Sequence, residues 1–511
     1  MLRKIFRKIF SRAAIIVLLL IFQILFLMLA VASIGERFYF VYILLIILDA
    51  VLVIYLMNKR EPDSYKLAWI ILISVFPLFG GLTYLFYKQT QKLPKRIEER
   101  YQSITREKLV QDTAVLNELA AADPDHISLA RYTAAFGMFP VYRNFQTEYF
   151  PVGEAQFEAM LREIERAELF VFLEYFIVSE GYMLETLSAL LIKKARQGVD
   201  VRLMYDGIGT GLKADSEQFA ALREGGVQCR AFNPFRPLLS SVQNNRDHRK
   251  IVVIDGVTAF SGGTNLADEY INRIERFGHW KDTAVMIRGE AVRNYTVMFL
   301  QLWDTAAVTP PDQIMKEPEA LPLPEYEAAD GFIQPFSDSP LDKEPVGKLA
   351  YMELIHNARR EVCITTPYLI IDEEMMNALC FAAKKGVDVK LITPHIPDKW
   401  YVYRIAWTLY PELIEAGVKV YEYTPGFIHA KSCVSDDNAA MVGTVNFDYR
   451  SFYLHFESAA ILYGCSAIKD IKADFGRTLA ASQQITIEDC RNRPLLHKIS
   501  GALLNMFAPM L

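Results

Sequence analysis

The chain has 511 residues, with 55 Lys/Arg against 60 Asp/Glu and 52% hydrophobic residues. A formal charge of −5 excludes a dedicated nucleic-acid binder, which carries a basic excess. Abundant Leu, Ile, Val and aromatic residues exclude long-range disorder.

The mean hydropathy of +0.14 is high for a soluble enzyme, and the excess sits at the front. Residues 1–100 hold 14 Lys/Arg and 6 Asp/Glu, and the remainder holds 41 and 54. Runs at 13–34, 38–57 and 67–87 have no charge apart from Asp49. Each is long enough to cross a hydrocarbon core of about 30 Å as a helix. The reading is a membrane anchor over 1–90 with three transmembrane helices there. A cleaved signal peptide is the alternative for the first, but its apolar run exceeds the usual h-region of about 7–15 residues. The distribution of Lys/Arg around the spans weakly favours an internal N-terminus and an external catalytic part. Asp49 inside a span is a functional candidate; pairing or solvation near a helix end is the equal alternative. The six cysteines lack any CxxC or Cys-His clustering, so neither a disulfide framework nor a zinc site is expected.

Residues 91–126 read as a linker helix. From 127 onward, short β-rich runs alternate with helical stretches: a buried strand at 170–178, a helix at 183–197, a strand at 199–205. This pattern predicts βαβ units and a largely parallel sheet. Five prolines (Pro310, Pro311, Pro318, Pro322, Pro324) exclude regular structure over 308–328, which is read as a linker between a first half at 127–307 and a second at 329–490. The tail, 491–511, reads as an amphipathic helix lying on a membrane or packed on the domain.

The halves repeat each other. Gly198-Val-Asp-Val-Arg-Leu203 returns as Gly386-Val-Asp-Val-Lys-Leu391, and His248-Arg-Lys250 returns as His429-Ala-Lys431. A period this long means a duplicated domain rather than a solenoid. The repeated core is His248-x-Lys250-x4-Asp255-x6-Gly262-Gly263-x-Asn265 and His429-x-Lys431-x4-Asp436-x6-Gly443-Thr444-x-Asn446. On a strand, His and Lys two apart share a face. The glycines let backbone approach a bound anion, and Asn265 and Asn446 add amide donors. One imidazole, one ammonium and one amide suit a phosphate. Two copies suit a two-step displacement in which one histidine attacks phosphorus and the other moves protons. Two Lys and two Asn neutralise the non-bridging oxygens, so no metal or other cofactor is required. Asp282 and Glu457 hold equivalent places, each seven residues before a Gly, and are expected to orient the imidazole of their own half. Asp255 and Asp436 belong to the motif, although Asp in a turn more often bonds backbone. His279 and His455 lie near the carboxylates as substrate contacts or structural histidines. Cys433 shares the face of His429 and Lys431 with nothing to mark it as reactive.

The doubled His-x-Lys-x4-Asp pattern resembles the phospholipase D superfamily. Among its members, bacterial cardiolipin synthases are the most similar, through Asn58-Lys-Arg-Glu-Pro-Asp63, Pro77-Leu-Phe-Gly-Gly81, Gly262-Gly-Thr-Asn-Leu-Ala-Asp-Glu-Tyr270, Trp280-Lys-Asp282, Asn446-Phe-Asp-Tyr-Arg-Ser-Phe452 and Phe456-Glu457. The chain departs in having His455 where the family usually shows Asn, and in an extra N-terminal span. The resemblance implies an α/β fold: two phospholipase D-like α/β/α sandwich halves with pseudo-twofold symmetry behind the membrane helices. It implies transfer of a phosphatidyl group between two phosphatidylglycerol molecules, giving cardiolipin and glycerol at a bacterial plasma membrane, with His248 as nucleophile and His429 as acid/base. A phospholipase D using water or another alcohol is the rival. A membrane-tethered nuclease conflicts with the acidic balance beyond residue 100, so no nucleic-acid partner is expected. A non-catalytic scaffold is disfavoured because both motifs are intact. A homo-oligomer is left open.

Overall fold

A computed structural model describes residues 25, 39–59, 63–76, 80–85, 95–234, 244–306, 318–323, 330–342 and 344–510. The chain forms two compact units. The smaller comprises 1–94, 235–244 and 503–511; the larger comprises 95–234 and 245–502.

The smaller unit contains helix α1, Tyr39–Met57, and helix α2, Asp63–Val75. Leu52, Leu56, Trp69, Ile73 and Tyr84 form its core. The expectation of N-terminal transmembrane helices is corrected here. Among the described residues no helix is long and apolar enough to cross a membrane. The run at 67–87 is interrupted, because α2 stops at Val75 after 13 residues, about 20 Å at 1.5 Å per residue. Pro77 follows closely, and a proline disfavours helical backbone at the residue before it. The α1 helix has 19 residues with Asp49 buried among them, about 28 Å. Apart from Leu25, the run at 13–34 lies outside the described residues, as does most of the Pro-rich stretch.

The larger unit holds two sheets of one topology. The first half supplies β1 (Phe145–Phe150), β2 (Phe170–Tyr175), β3 (Asp200–Asp206), β4 (Gln228–Phe232), β5 (Ile251–Ile254), β6 (Thr258–Gly262) and β7 (Ala284–Gly289). Their order across the sheet is β1-β7-β6-β5-β2-β3-β4. The second half supplies β8 (Phe332–Asp338), β9 (Glu361–Thr365), β10 (Asp388–Pro394), β11 (Lys419–Tyr423), β12 (Ser432–Ser435), β13 (Ala439–Gly443), β14 (His455–Tyr463) and β15 (Ser482–Gln484), in the order β8-β14-β13-β12-β9-β10-β11-β15. Every strand from β1 to β7 thus has its counterpart in β8 to β14, and the duplication read from the motifs is a duplication of fold.

The sheets are mixed rather than largely parallel. Only β2-β3-β4 and β9-β10-β11 run parallel. The motif itself makes the antiparallel part, because Asp255 and Gly256 take positive φ (53° and 70°) and turn β5 back into β6. Positive φ at both turn residues matches the strand twist of a tight hairpin.

Apolar layers cover both faces of the first sheet. Phe157, Met160, Leu184 and Leu187 pack on one face. The other face meets Phe299 of helix α4 (Val292–Ala306), whose ring lies 4.6 Å from that of Phe172. The same core takes in Tyr351 of helix α5 (Val346–Asn357) and residues of the second sheet. Helix α3 (Lys95–Lys108) belongs to this unit, since Tyr101 and Ile104 are buried in that core. One apolar core therefore joins the two halves and fixes their strand ends against each other.

Candidate active site

The halves exchange short strands where the motifs begin. Arg246–Asp247, just before His248, pairs in parallel with the start of β14, matching Asp247 to Phe456. Gly426–Ile428, just before His429, pairs in parallel with His279–Lys281, matching Ile428 to Lys281. The next residue on each strand is then a histidine facing a carboxylate from the other half. The backbone N–H of His248 donates to Phe456 O at 2.9 Å, and that of His429 to Lys281 O at 2.7 Å. Buried Asp206 anchors the first exchange, accepting from Arg246 Nη1 (3.3 Å) and from the Asp247 N–H (3.1 Å).

The orienting pairs are consequently crossed, not within each half. His248 Nδ1 donates to both Glu457 oxygens, at 3.0 and 2.9 Å. His429 Nδ1 donates to Asp282 Oδ2 at 2.6 Å. Both carboxylates are fully buried. Thr444 Oγ1 donates to Glu457 Oε2. Gly263, at the position equivalent to Thr444, has no side chain because Asp282 Oδ1 would lie 2.0 Å from its Cβ. Gly262 packs as closely on the β7 backbone, with Thr283 O 2.4 Å from a Cβ there. The glycines thus make room for a carboxylate and a neighbouring strand, a different task from cradling an anion.

Alternation along the strand separates His248 and Lys250 from Arg249. The Arg249 side chain points away and is fully buried, with Nε donating to Glu174 Oε1 at 2.6 Å. Lys250 Nζ donates to His248 O at 2.5 Å, and Lys431 Nζ donates to His429 O and lies 2.9 Å from His429 Nδ1. Burial and the nearby lysine charges hold both imidazoles well below their usual range, so both are neutral. Burial lowers Lys250 to about 7 and Lys431 to about 8, against the pull of Glu457 and Asp282. Burial also lifts the Asp282 carboxyl to about 7, while Lys431 and the Thr283 N–H draw it down. Two buried ammonium groups share this small volume, a poise that an added anion would relieve.

Asp255 and Asp436 are not brought to this site. Each begins the turn at the far end of its strand, seven residues from the histidine and on the order of 20 Å away along extended chain. Asp255 accepts from the N–H groups of Glu168, Leu169 and Phe170 at 2.7–2.8 Å. Asp436 accepts from Arg359, Arg360 and Glu361 at 2.8–3.0 Å. Their shared contact is backbone, so their place in the motif reflects folding of the turn. The two asparagines differ. Asn265 accepts from the Ile177 N–H (3.0 Å) and donates to the Tyr270 hydroxyl (2.7 Å), so its amide is committed. Asn446 Oδ1 is buried with no hydrogen-bond partner.

Residues that the motif did not reveal complete the walls. The Phe176 ring meets His248 edge-on at 5.1 Å. Tyr270 and Trp280 stand 5.4 and 5.5 Å from His429. Lys399 lies over Tyr368 at 4.5 Å and acts electrostatically on both histidines. Tyr270 and Trp280 were legible only as parts of longer family-like runs; Phe176 and Lys399 carried no signal. His455 lies 5.4 Å from His248, ring to ring, and accepts from Arg450 Nε at 3.1 Å. His248, His455 and Glu457 offer three metal-ligand atoms within 4.8 Å of one another, although His248 Nδ1 is already bonded to Glu457. His279 turns instead to the Tyr423 hydroxyl, 3.0 Å away.

Two imidazoles on crossed carboxylates, with two lysines beside them, form one buried cluster assembled from both halves. The family described as "Cardiolipin synthase, PLD-like domain" matches residues 160–303 and again 351–479. That described as "Phospholipase D-nuclease N-terminal" matches 47–88. Cardiolipin synthases of Alkalihalophilus pseudofirmus and Geobacillus kaustophilus are 34% and 35% identical over 90% of this chain and 91% of each relative. A phosphatidylserine synthase structure from Haemophilus influenzae shares the fold, with a TM-score of 0.55, 12% identity, and coverage of 75% of this chain and 98% of that one. The chain belongs to the cardiolipin synthase family, and it is a phosphatidyltransferase of the phospholipase D type. Enzymes of this family act on phospholipids, and this one is membrane-associated.

Proposed function

We propose that the enzyme transfers a phosphatidyl group from one phosphatidylglycerol to a second, through a phosphohistidine on His248. The crossed pairing of His248 with Glu457 and His429 with Asp282 carries this reading. It gives each half one oriented imidazole and neither half a complete set. Glu457 holds the Nδ1 proton of His248, leaving Nε2 with its lone pair for phosphorus. A P–N bond forms as the P–O bond to the glycerol headgroup breaks. The diester anion, arriving beside Lys250 and Lys431, raises the proton affinity of His429, which takes a proton from water on Nε2 and delivers it to the departing glycerol alkoxide. His429 then takes the proton of the second headgroup hydroxyl. That oxygen attacks phosphorus, the P–N bond breaks, and cardiolipin leaves with His248 restored. Lys250, Lys431 and Asn446 stand by the non-bridging oxygens. The exchange of one phosphodiester for another needs no nucleotide.

The test is the purified enzyme with pure phosphatidylglycerol in mixed micelles. Cardiolipin and glycerol in equal amounts are expected; phosphatidic acid as the main product would make it a phospholipase D. A trapped phosphoenzyme in His429→Ala, absent in His248→Ala, is expected; the reverse would exchange the two roles.

A further inference from the structure

Helix α6 (Trp400–Glu415), helix α7 (Ile487–Asn492) and helix α8 (Leu495–Asn505) enclose a cavity of about 400 Å³ within the larger unit. Its floor is apolar, with Trp407, Pro411 and Ile487. Arg404, Arg491, Arg493 and Lys498 stand around it, and Glu415 is its one lining carboxylate among the described residues. Three of these cations donate to neutral oxygens. Arg404 Nη1 donates to Ser500 Oγ (2.9 Å), Arg493 Nη2 to Tyr403 Oη (3.1 Å), and Lys498 Nζ to Arg491 O (2.7 Å). Among the described residues none of the four is in an ion pair. The Arg493 guanidinium lies over the Trp407 ring, 3.0 Å from its centroid. Arg493 shares the field of the buried Glu422 carboxylate, which Tyr403 and Trp407 also contact; with Arg404, Arg491 and Lys498 outside any ion pair, the cluster above an aromatic floor complements an anion that carries an apolar body.

The adjoining helix adds the second half of the argument. Gly501 seats α8 on α6, where a Cβ would meet Arg404 O and Thr408 Cγ2 at 2.8 Å. That contact turns Leu495, Leu496 and Ile499 outward, where they are 72%, 71% and 51% exposed. An outward apolar ridge flanked by Lys and Arg is the pattern of a helix that rests in a lipid interface. A free phosphate would use the cations but leave the ridge unexplained.

We propose that this cavity is a second phospholipid site, distinct from the histidine pair, that holds an anionic headgroup while the α8 ridge meets the acyl region. It goes beyond the transfer reaction and does not depend on it. The α6 helix begins one residue after Lys399, so Trp407 lies about 12 Å along the helix axis from that residue of the site. A lipid held here waits beside the catalytic chamber.

The test uses the full chain carrying His248→Ala, in neutral detergent, with a phosphatidylglycerol that bears a photoactivatable acyl chain. Labelled peptides from 400–415 or 487–502 are expected. Labelling there should be at least fivefold stronger than with the matching phosphatidylcholine, and unaffected by equimolar inorganic phosphate. Arg491→Gln with Lys498→Gln, two exposed positions, should lower it at least fivefold with the melting temperature of the parent kept. Label absent from these peptides, equal with phosphatidylcholine, or displaced by inorganic phosphate overturns the proposal. If the double variant melts below the parent, the comparison of the two lipids on the parent alone decides.

Discussion

Replacing Glu457 by Gln or Asp282 by Asn separates crossed from own-half pairing. Glu457 accepts a bifurcated hydrogen bond from His248 Nδ1 and a second bond from Thr444 in a fully buried setting. Glutamine keeps one acceptor oxygen and loses the charge that stabilises a phosphorylated, cationic imidazole. Hydrogen bonds to a charged group contribute roughly 1.5–3 kcal/mol each. Loss of one bond and the charge costs about 3–4 kcal/mol of barrier, or 10²–10³ in rate at 1.36 kcal/mol per decade. The assay is rapid-quench phosphoenzyme formation from a phosphatidyl ester of p-nitrophenol, whose leaving group needs no acid. With crossed pairs, Glu457→Gln slows phosphoenzyme formation as His248→Ala abolishes it. Asp282→Asn forms the phosphoenzyme and lets it accumulate, as His429→Ala does. An Asp282→Asn enzyme that behaves like His248→Ala, or a Glu457→Gln enzyme within tenfold of the parent in that step, refutes the reasoning.

Further expectations rest on single contacts. Lys250 and Lys431 are charged below about 7 and 8 in the empty site, and only the charged forms hold a diester. So kcat/KM should fall as pH rises through 7–8, while the alkaline limb of kcat lies higher because bound phosphate raises both lysines. Coincident limbs in the two profiles would count against this. Gly263→Ala places a methyl carbon 2.0 Å from Asp282 Oδ1, and cardiolipin formation should fall at least 100-fold, since the carboxylate must leave His429. Asp255→Ala orphans three N–H groups; at roughly 1 kcal/mol per bond it should lower unfolding stability by about 3 kcal/mol in denaturant titration. Its turnover per folded molecule should stay within about threefold, and a loss of 10³ would return Asp255 to the chemistry.

Much of this enzyme was legible in one chain. Spacing within the two motifs is short-range information: His-x-Lys on one strand face, Asp-Gly in a turn, a Gly-rich strand end. Local backbone geometry alone fixes these features, so the duplicated α/β fold and the residue types of the site could be read directly. The aspartate that the motif presents beside its histidine proved to be a staple for the turn, because a strand carries its two ends apart. The apolar run at 67–87 had the composition of a span, yet its helix stops at Val75 before Pro77, a break that averaged hydropathy smooths over. The partners of the histidines were beyond sequence for a firmer reason. His248 and Glu457 are 209 residues apart, and His429 and Asp282 are 147 apart. Both carboxylates are equivalent under the repeat, so sequence identifies the two imidazoles and the two acids but not which meets which. Only the exchange of short strands between the halves, held by a shared core and by Asp206, decides that each imidazole is oriented from the opposite half.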